Sequence, residues 1–141
     1  MKKRIWLLPL LILTSVLLTG CALQTVNEMY ALPKRSKEYD SLQSAIDSAM
    51  YGLSYSAPVS GENQQTVQMA DLDGDGVEEY IVFAQGSSAN PLQVLIFRQE
   101  EDGTCRLMEV IQSNGSAFEQ VEYVQMDNAP GYELVVGRRL S

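Results

Sequence analysis

The sequence predicts a mainly β chain, with antiparallel strands forming one four-stranded unit and part of a second, plus one short N-terminal α-helix. A small compact α+β domain is the alternative. Three observations carry this. Only one stretch, at 40–53, spaces its apolar residues as a helix does. From Ser54 onward, short apolar runs alternate with turn residues. A pattern at 66–84 returns at 123–137.

Residues 1–20 stand apart from the fold. Lys2, Lys3 and Arg4 open the chain, an apolar run follows from Ile5 to Leu18, and small residues close it. That is the layout of a secretory signal. An uncleaved membrane anchor is the competing reading, because the apolar run is almost long enough to span. The end, Leu18-Thr19-Gly20-Cys21, resembles the lipobox of bacterial lipoproteins. The resemblance implies cleavage before Cys21 and diacylation of its thiol. The mature chain would then be exported and held by its acyl chains on the outer face of a bacterial cell membrane, or on an outer membrane where the host has one. Two or more acyl chains anchor stably where one does not.

Residues 21–39 read as a tether, with Pro33 and a basic cluster at Lys34, Arg35 and Lys37. Without Lys2, Lys3 and Arg4, 7 of the 10 Lys+Arg remain against 18 Asp+Glu, a formal charge of −11 from Cys21 onward. Such a surface disfavours nucleic acid and anionic headgroups. It suits cations, basic proteins or neutral glycans. The absence of histidine removes Ser-His-Asp and Cys-His catalysis and His-based zinc sites. With Cys21 lipidated, Cys105 has no disulfide partner and reads as a small apolar strand residue.

In "DSLQSAIDSAMYGL", Leu42, Ala45, Ile46, Ala49 and Met50 form a helical stripe. Asp40 or Ser41 is expected to cap its start and Gly52 to end it. Region 54–141 is expected to hold the β-repeats. "TVQMA" alternates, with Val67 and Met69 on one face. "EEYIVFA" and "PLQVLIFRQ" are apolar on both faces, as inner strands are. Glu101-Asp102-Gly103-Thr104 supplies a hairpin turn, and Asn114-Gly115 a second turn after "TCRLMEVIQ".

"TVQMADLDGDGVEEYIVFA" is echoed by "YVQMDNAPGYELVVG". Val67-Gln68-Met69 matches Val124-Gln125-Met126 at an offset of 57. Glu79 and the apolar run after it match Glu133 and its run at an offset of 54, which implies a shorter second loop. A period near fifty with about four strands is the signature of a β-propeller blade. The first repeat is placed at about 66–112 and a partial second at about 118–138. The second lacks its last two strands, so Leu134, Val135 and Val136 are expected at an open edge. The chain is accordingly expected to be the N-terminal part of a longer repeat protein.

Asp71, Asp73, Asp75 and Glu79 crowd into nine residues before a strand. Like charges at that density need a counter-charge. Ca²⁺ takes six to eight oxygen ligands and favours a glycine where the chain turns sharply. The three aspartates stand at positions 1, 3 and 5, with Gly76 at position 6, the Val77 carbonyl at position 7 and Glu79 at position 9. An acidic surface turn would need fewer carboxylates. Position 12 is Val82, where an EF-hand needs a bidentate glutamate.

"DLDGDGVEEYIVF" resembles instead the calcium loops of FG-GAP and VCBS repeats, the blades of integrin-like propellers. The resemblance implies metal ligands at Asp71, Asp73, Asp75 and Glu79, although Asp is commoner at the ninth position. It also implies one structural Ca²⁺. "DNAPGYE" keeps Asp127, Asn128 and Glu133 but not the alternating carboxylates, and is expected to hold no cation.

The favoured functional reading is a membrane-tethered, calcium-stabilised binding module with a protein or glycan ligand. A polysaccharide-acting enzyme would draw on Glu78, Glu109, Glu119 or Glu122 as acid and base. A small structural α+β lipoprotein is the third reading. Tyr51, Tyr55, Tyr80, Tyr123 and Tyr132 are candidates for a glycan platform. The anchor is checked by expressing the protein in a bacterium with labelled fatty acid. Cys21→Ser should lose both acyl label and processing before residue 21, and a mutant labelled like the parent would refute the lipobox.

Overall fold

The computed structural model describes residues 36–140, apart from Ser88 and Asn90. The signal segment, Cys21 and the tether as far as Arg35 lie outside the described residues. Among the described residues no helix is long and apolar enough to cross a membrane.

Helix α1 spans Lys37–Ala49. It begins three residues before the expected start at Asp40 and ends at Ala49, with Met50 as its C-cap, instead of running to Leu53, so the tether is correspondingly shorter. The reason is the cap. Ser36 has extended backbone and its hydroxyl accepts the Tyr39 N–H at 3.2 Å. Glu38 and Asp40 then fall in the first turn, where negative charge is favourable. Ser41 is inside the helix, and its Oγ accepts the Cys105 N–H at 2.8 Å.

Strands β1 (Ser54–Tyr55), β2 (Val67–Ala70), β3 (Glu79–Gln85), β4 (Leu92–Gln99) and β5 (Cys105–Ser113) form one antiparallel sheet. β1 and β2 both pair with β3, at its two ends, and β4 and β5 follow in order. β2 to β5 follow one another in the sheet as a four-stranded meander. The Glu101–Thr104 turn closes β4 onto β5, with Gly103 N–H donating to the Glu100 carbonyl at 2.9 Å. β6 (Ala117–Val124) and β7 (Glu133–Arg139) form a separate two-stranded sheet.

β3 and β4 are apolar on both faces because both faces are covered. Ile81, Phe83, Leu92 and Val94 pack against Phe118 and Val121 of the hairpin. Phe83 and Phe118 meet edge-to-face, with centroids 5.1 Å apart. On the opposite face, Val82, Ala84, Leu95 and Phe97 pack against Ile46, with Leu42, Ala45, Ala49 and Met50 around it. The helical stripe is therefore core contact. The helix, the larger sheet and the hairpin make three layers, and the two copies of the echo lie in different sheets.

The alternation in "TVQMA" is real, but its apolar side faces out. Val67 and Met69 are exposed while Gln68 and Ala70 are buried. Gln68 tolerates burial because its amide is satisfied. Nε2 donates to the Asn63 and Gln65 carbonyls, and Oε1 accepts the Tyr123 hydroxyl at 2.7 Å.

The registers also revise the echo. Ala70 pairs with Glu79, and Val124 pairs with Glu133. Both hairpins therefore close with eight residues, 71–78 and 125–132, and the second loop is not shorter. The offset is 54 throughout, so the Val-Gln-Met match at 57 is out of structural register. Side-chain bonds repeat at the same offset. Leu72 N–H donates to Glu79 Oε2 at 2.9 Å, and Met126 N–H to Glu133 Oε2 at 3.0 Å.

Among the described residues, β5 ends one side of the larger sheet and β1 and β2 the other, while β6 and β7 each have one strand neighbour in the smaller sheet. β5 is exposed along nearly all its length, with Leu107, Met108, Val110 and Ile111 in solvent. On β7, Leu134 and Val136 are half-buried against the core, and Val135 is 42% exposed. Phe83 joins the two sheets, so Phe83→Ala should cost about 3–5 kcal/mol. Met108→Thr on the exposed edge should stay within about 0.5 kcal/mol. Urea denaturation of the two variants beside the parent tests the contrast.

Candidate cation-binding loop

The β2–β3 connection holds the acidic loop against the end of the sheet. Alternation and glycine shape it. Asp71 Oδ1 accepts the Gly74 N–H at 2.7 Å, and its Oδ2 accepts the Gly76 N–H at 3.0 Å. Asp73 Oδ1 accepts from Asp75 N–H at 3.2 Å, and Asp75 Oδ1 from Val77 N–H at 2.8 Å. Each aspartate folds the chain back on itself as an Asx turn does. Glu79 begins β3, is 3% exposed, and accepts from Leu72 N–H through Oε2.

The backbone bonds leave three carboxylate oxygens: Asp73 Oδ2, Asp75 Oδ2 and Glu79 Oε1. All three face one atom, Nη2 of Arg98 on β4. Arg98 Nη2 pairs directly with Asp73, stands 2.7 Å from Glu79 and 3.6 Å from Asp75. Its Nε donates to Glu79 Oε1 at 3.0 Å. Carboxylate oxygens of Asp71, Asp73 and Glu79 lie within 4.8 Å of one another. Asp75 stands beside that group, and Val77, the expected carbonyl ligand, is exposed.

The donor chemistry fits a hard cation: carboxylate oxygens on a glycine-containing turn, with one buried acid beneath. Arg98 is the residue that sequence reasoning missed. It lies 19 residues beyond Glu79, and its only signal was a single basic side chain ending an apolar strand. Register brings it there, because β4 pairs beside β3. One guanidinium against four carboxylates still leaves a formal charge of −3. Val82, at the EF-hand position 12, is buried in β3.

The second loop buttresses the first. Tyr132 N–H donates to the Asp71 carbonyl at 2.9 Å. Gly74 presses on Pro130, and a Cβ there would lie 2.3 Å from the Pro130 carbonyl carbon. Pro130-Gly131 is thus a packing surface as well as a turn. At the shared offset, Gln125 replaces Asp71 and Ala129 replaces Asp75, while Asp127 keeps its turn by accepting the Ala129 N–H at 2.7 Å.

The carboxylates considered for hydrolysis are scattered. Glu78, Glu109 and Glu122 are exposed, Glu122 taking the Gln120 amide at 2.5 Å. Glu119 pairs with Arg139 at 2.7 Å. Two of the five tyrosines lie on different faces of the larger sheet. Tyr80 packs on the helix side and Tyr123 on the hairpin side. Burial pushes the Tyr123 phenol well above its ordinary range, as suits a hydroxyl that donates to Gln68. Cys105 is half-buried at the start of β5, and desolvation raises its thiol.

No family model matches the chain, and neither a curated protein nor a solved structure matches it. The geometry of the loop therefore carries the functional argument.

Two glycines separate backbone strain from packing. Gly74 and Gly76 both have positive φ, +76° and +88°, but only Gly74 faces a neighbour within 4 Å. Gly74→Ala should cost about 1–3 kcal/mol more than Gly76→Ala, because both pay the left-handed backbone and only the first displaces Pro130. Equal urea midpoints for the two variants would remove the second loop from its supporting role.

Proposed function

We propose that this chain is an exported, membrane-tethered lipoprotein whose β-rich domain is a calcium-stabilised binding module. The observation that carries the cation is the convergence of Asp73 Oδ2, Asp75 Oδ2 and Glu79 Oε1 on a single positively charged atom. Oxygens left over from the backbone bonds already point at one centre. Asp71 and the Val77 carbonyl complete the set that the loop's spacing suggests. Arg98 serves as the resident counter-charge, and Ca²⁺ displaces it. The ion's role is structural: it fixes the loop that the 125–132 turn leans on. The lipobox residues support the tether, through Cys21. The acidic surface supports a protein or neutral glycan ligand over nucleic acid. A glycan array and pull-down with the soluble domain would separate these two ligand classes.

The Arg98 exchange makes the ion testable. In chelator, Arg98→Met leaves the buried Glu79 carboxylate without its partner, which should cost about 3–5 kcal/mol. Ca²⁺ should recover much of that loss, since a ligand at a hundredfold excess over Kd contributes about 2.7 kcal/mol. The parent should gain less, because its ion must first displace the guanidinium. Thermal melts of parent, Arg98→Met and Arg98→Met/Asp73→Ala, each with Ca²⁺ and with chelator, decide the matter. Curves for Arg98→Met that ignore Ca²⁺ would rule out the site.

A further inference from the structure

β5 ends one side of the larger sheet, and its outer edge carries no strand among the described residues. Charge or a bulge usually guards such an edge. β5 has its bulge early: the register against β4 slips between Ile96 and Phe97 and leaves Met108 unpaired. From Glu109 to Ser113 the strand is regular, and its first four residues there are exposed. Glu109 is the only charge in that stretch. Register assigns the faces. Glu109, Ile111 and Ser113 pair with Ile96, Val94 and Leu92, which pack toward the hairpin. Val110 pairs with Leu95 on the helix side. A groove of about 360 Å³ runs between β5 and β7, and Ile111, Ser113 and Arg138 all line it. Arg138 sits at the Ser113 end, since a Cβ on Gly115 would lie 3.6 Å from Arg138 Cβ. Arg98, Arg106 and Arg139 each meet a carboxylate, but among the described residues Arg138 meets none. Glu109 is likewise exposed and without an ion pair among the described residues. Within one copy the two stand at opposite ends of a stretch about 13 Å long, at the usual strand rise of about 3.3 Å per residue.

We propose that β5 pairs antiparallel with β5 of a second copy of this chain, about a two-fold axis at Ile111 perpendicular to the sheet. The two larger sheets then lie side by side as one continuous sheet, so each helix and each hairpin stays over its own strands. Charge names the occupant and chooses the register. With Ile111 opposite its own copy, Glu109 lies opposite Ser113 of the second copy, on the hairpin face. That is the end of the groove where the second copy's Arg138 stands. Two unpaired groups of opposite sign meet, twice by symmetry. On the same face the two Ile111 side chains touch across the axis and cover the open side of both grooves. On the helix face Val110 lies opposite Gln112. Neighbouring registers lose this. An axis at Glu109 sets two carboxylates opposite each other, which opposes pairing. An axis at Val110 sets Glu109 against Ile111, and one at Gln112 sets it against Gly115, past the end of the strand. The bulge at Met108 limits the pairing to the regular stretch beyond it.

The test is a charge swap read by sedimentation of the full chain in density-matched detergent. The parent should sediment as a dimer. Glu109→Arg and Arg138→Glu alone each bring like charges together twice, and should weaken self-association about tenfold or more. Mixed one to one, the two variants restore both opposite-charge pairs and should form a heterodimer. The mixture also shows that each variant is folded. The double swap, Glu109→Arg/Arg138→Glu, should dimerise like the parent. Ile111→Asp sets two carboxylates at the axis and should give a monomer that keeps the parent's circular dichroism, because the side chain is 43% exposed in one copy. A monomeric parent, single variants that associate as the parent does, a mixture that stays monomeric, or a dimeric Ile111→Asp would each overturn the proposal. A monomeric parent with protected amides at 109–113 would overturn it too, and would assign the edge to a different partner.

Discussion

β3 is buried on both faces, and the other elements are arranged around that requirement. Ile81 and Phe83 point one way, Val82 and Ala84 the other, and all four are fully buried. A sheet strand with two apolar faces needs a cover on each. The helix supplies one through Ile46, and the β6–β7 hairpin supplies the other through Phe118 and Val121. The same strand begins with Glu79, so the acidic loop is fixed to the most buried part of the fold. A carboxylate placed there must have partners, because removing one leaves a desolvated charge.

That placement links stability to chemistry. The loop could satisfy its aspartates with its own N–H groups, and largely does. What those bonds cannot supply is positive charge. Arg98 supplies part of it from the neighbouring strand, at the point where three oxygens converge. A guanidinium and a hard cation answer the same electrostatic demand in different ways. The guanidinium is covalently present and directional. Ca²⁺ brings twice the charge and gathers more oxygens. The proposed site is thus an exchange between an internal and an external cation, with the 125–132 turn holding the loop in either case.

The repeat has a physical meaning beyond its sequence trace. Two hairpins with the same eight-residue loop and the same glutamate-to-backbone bond stack face to face. The first extends into β4 and β5. The second stops at β7, so the half-groove above β5 is lined by apolar side chains from both sheets. Helix α1 occupies the far face of the larger sheet, which gives this unit a different cover on each side.

The sequence by itself determined the period of each element and therefore its kind. Helical spacing from Leu42 to Met50, two-faced apolar runs at β3 and β4, and the Asp-Gly turn before Thr104 are local patterns, and local sterics read them without tertiary help. The alternating aspartates likewise set the loop, because each folds back onto an N–H two to five residues away. The N-cap was legible in type but placed wrongly: Ser36, Asp40 and Ser41 can each cap, and extended backbone at Ser36 decided among them. Other features depended on long-range register. That Val67 and Met69 face outward follows from Tyr123 reaching Gln68 across 55 residues. That the echo runs at 54 and not 57 follows from strand pairing, which identical tripeptides cannot report. Arg98 joined the acidic loop only because β4 lies beside β3. Side-chain period is written along the chain, whereas partners are chosen by packing between distant segments, and that choice belongs to the tertiary structure alone.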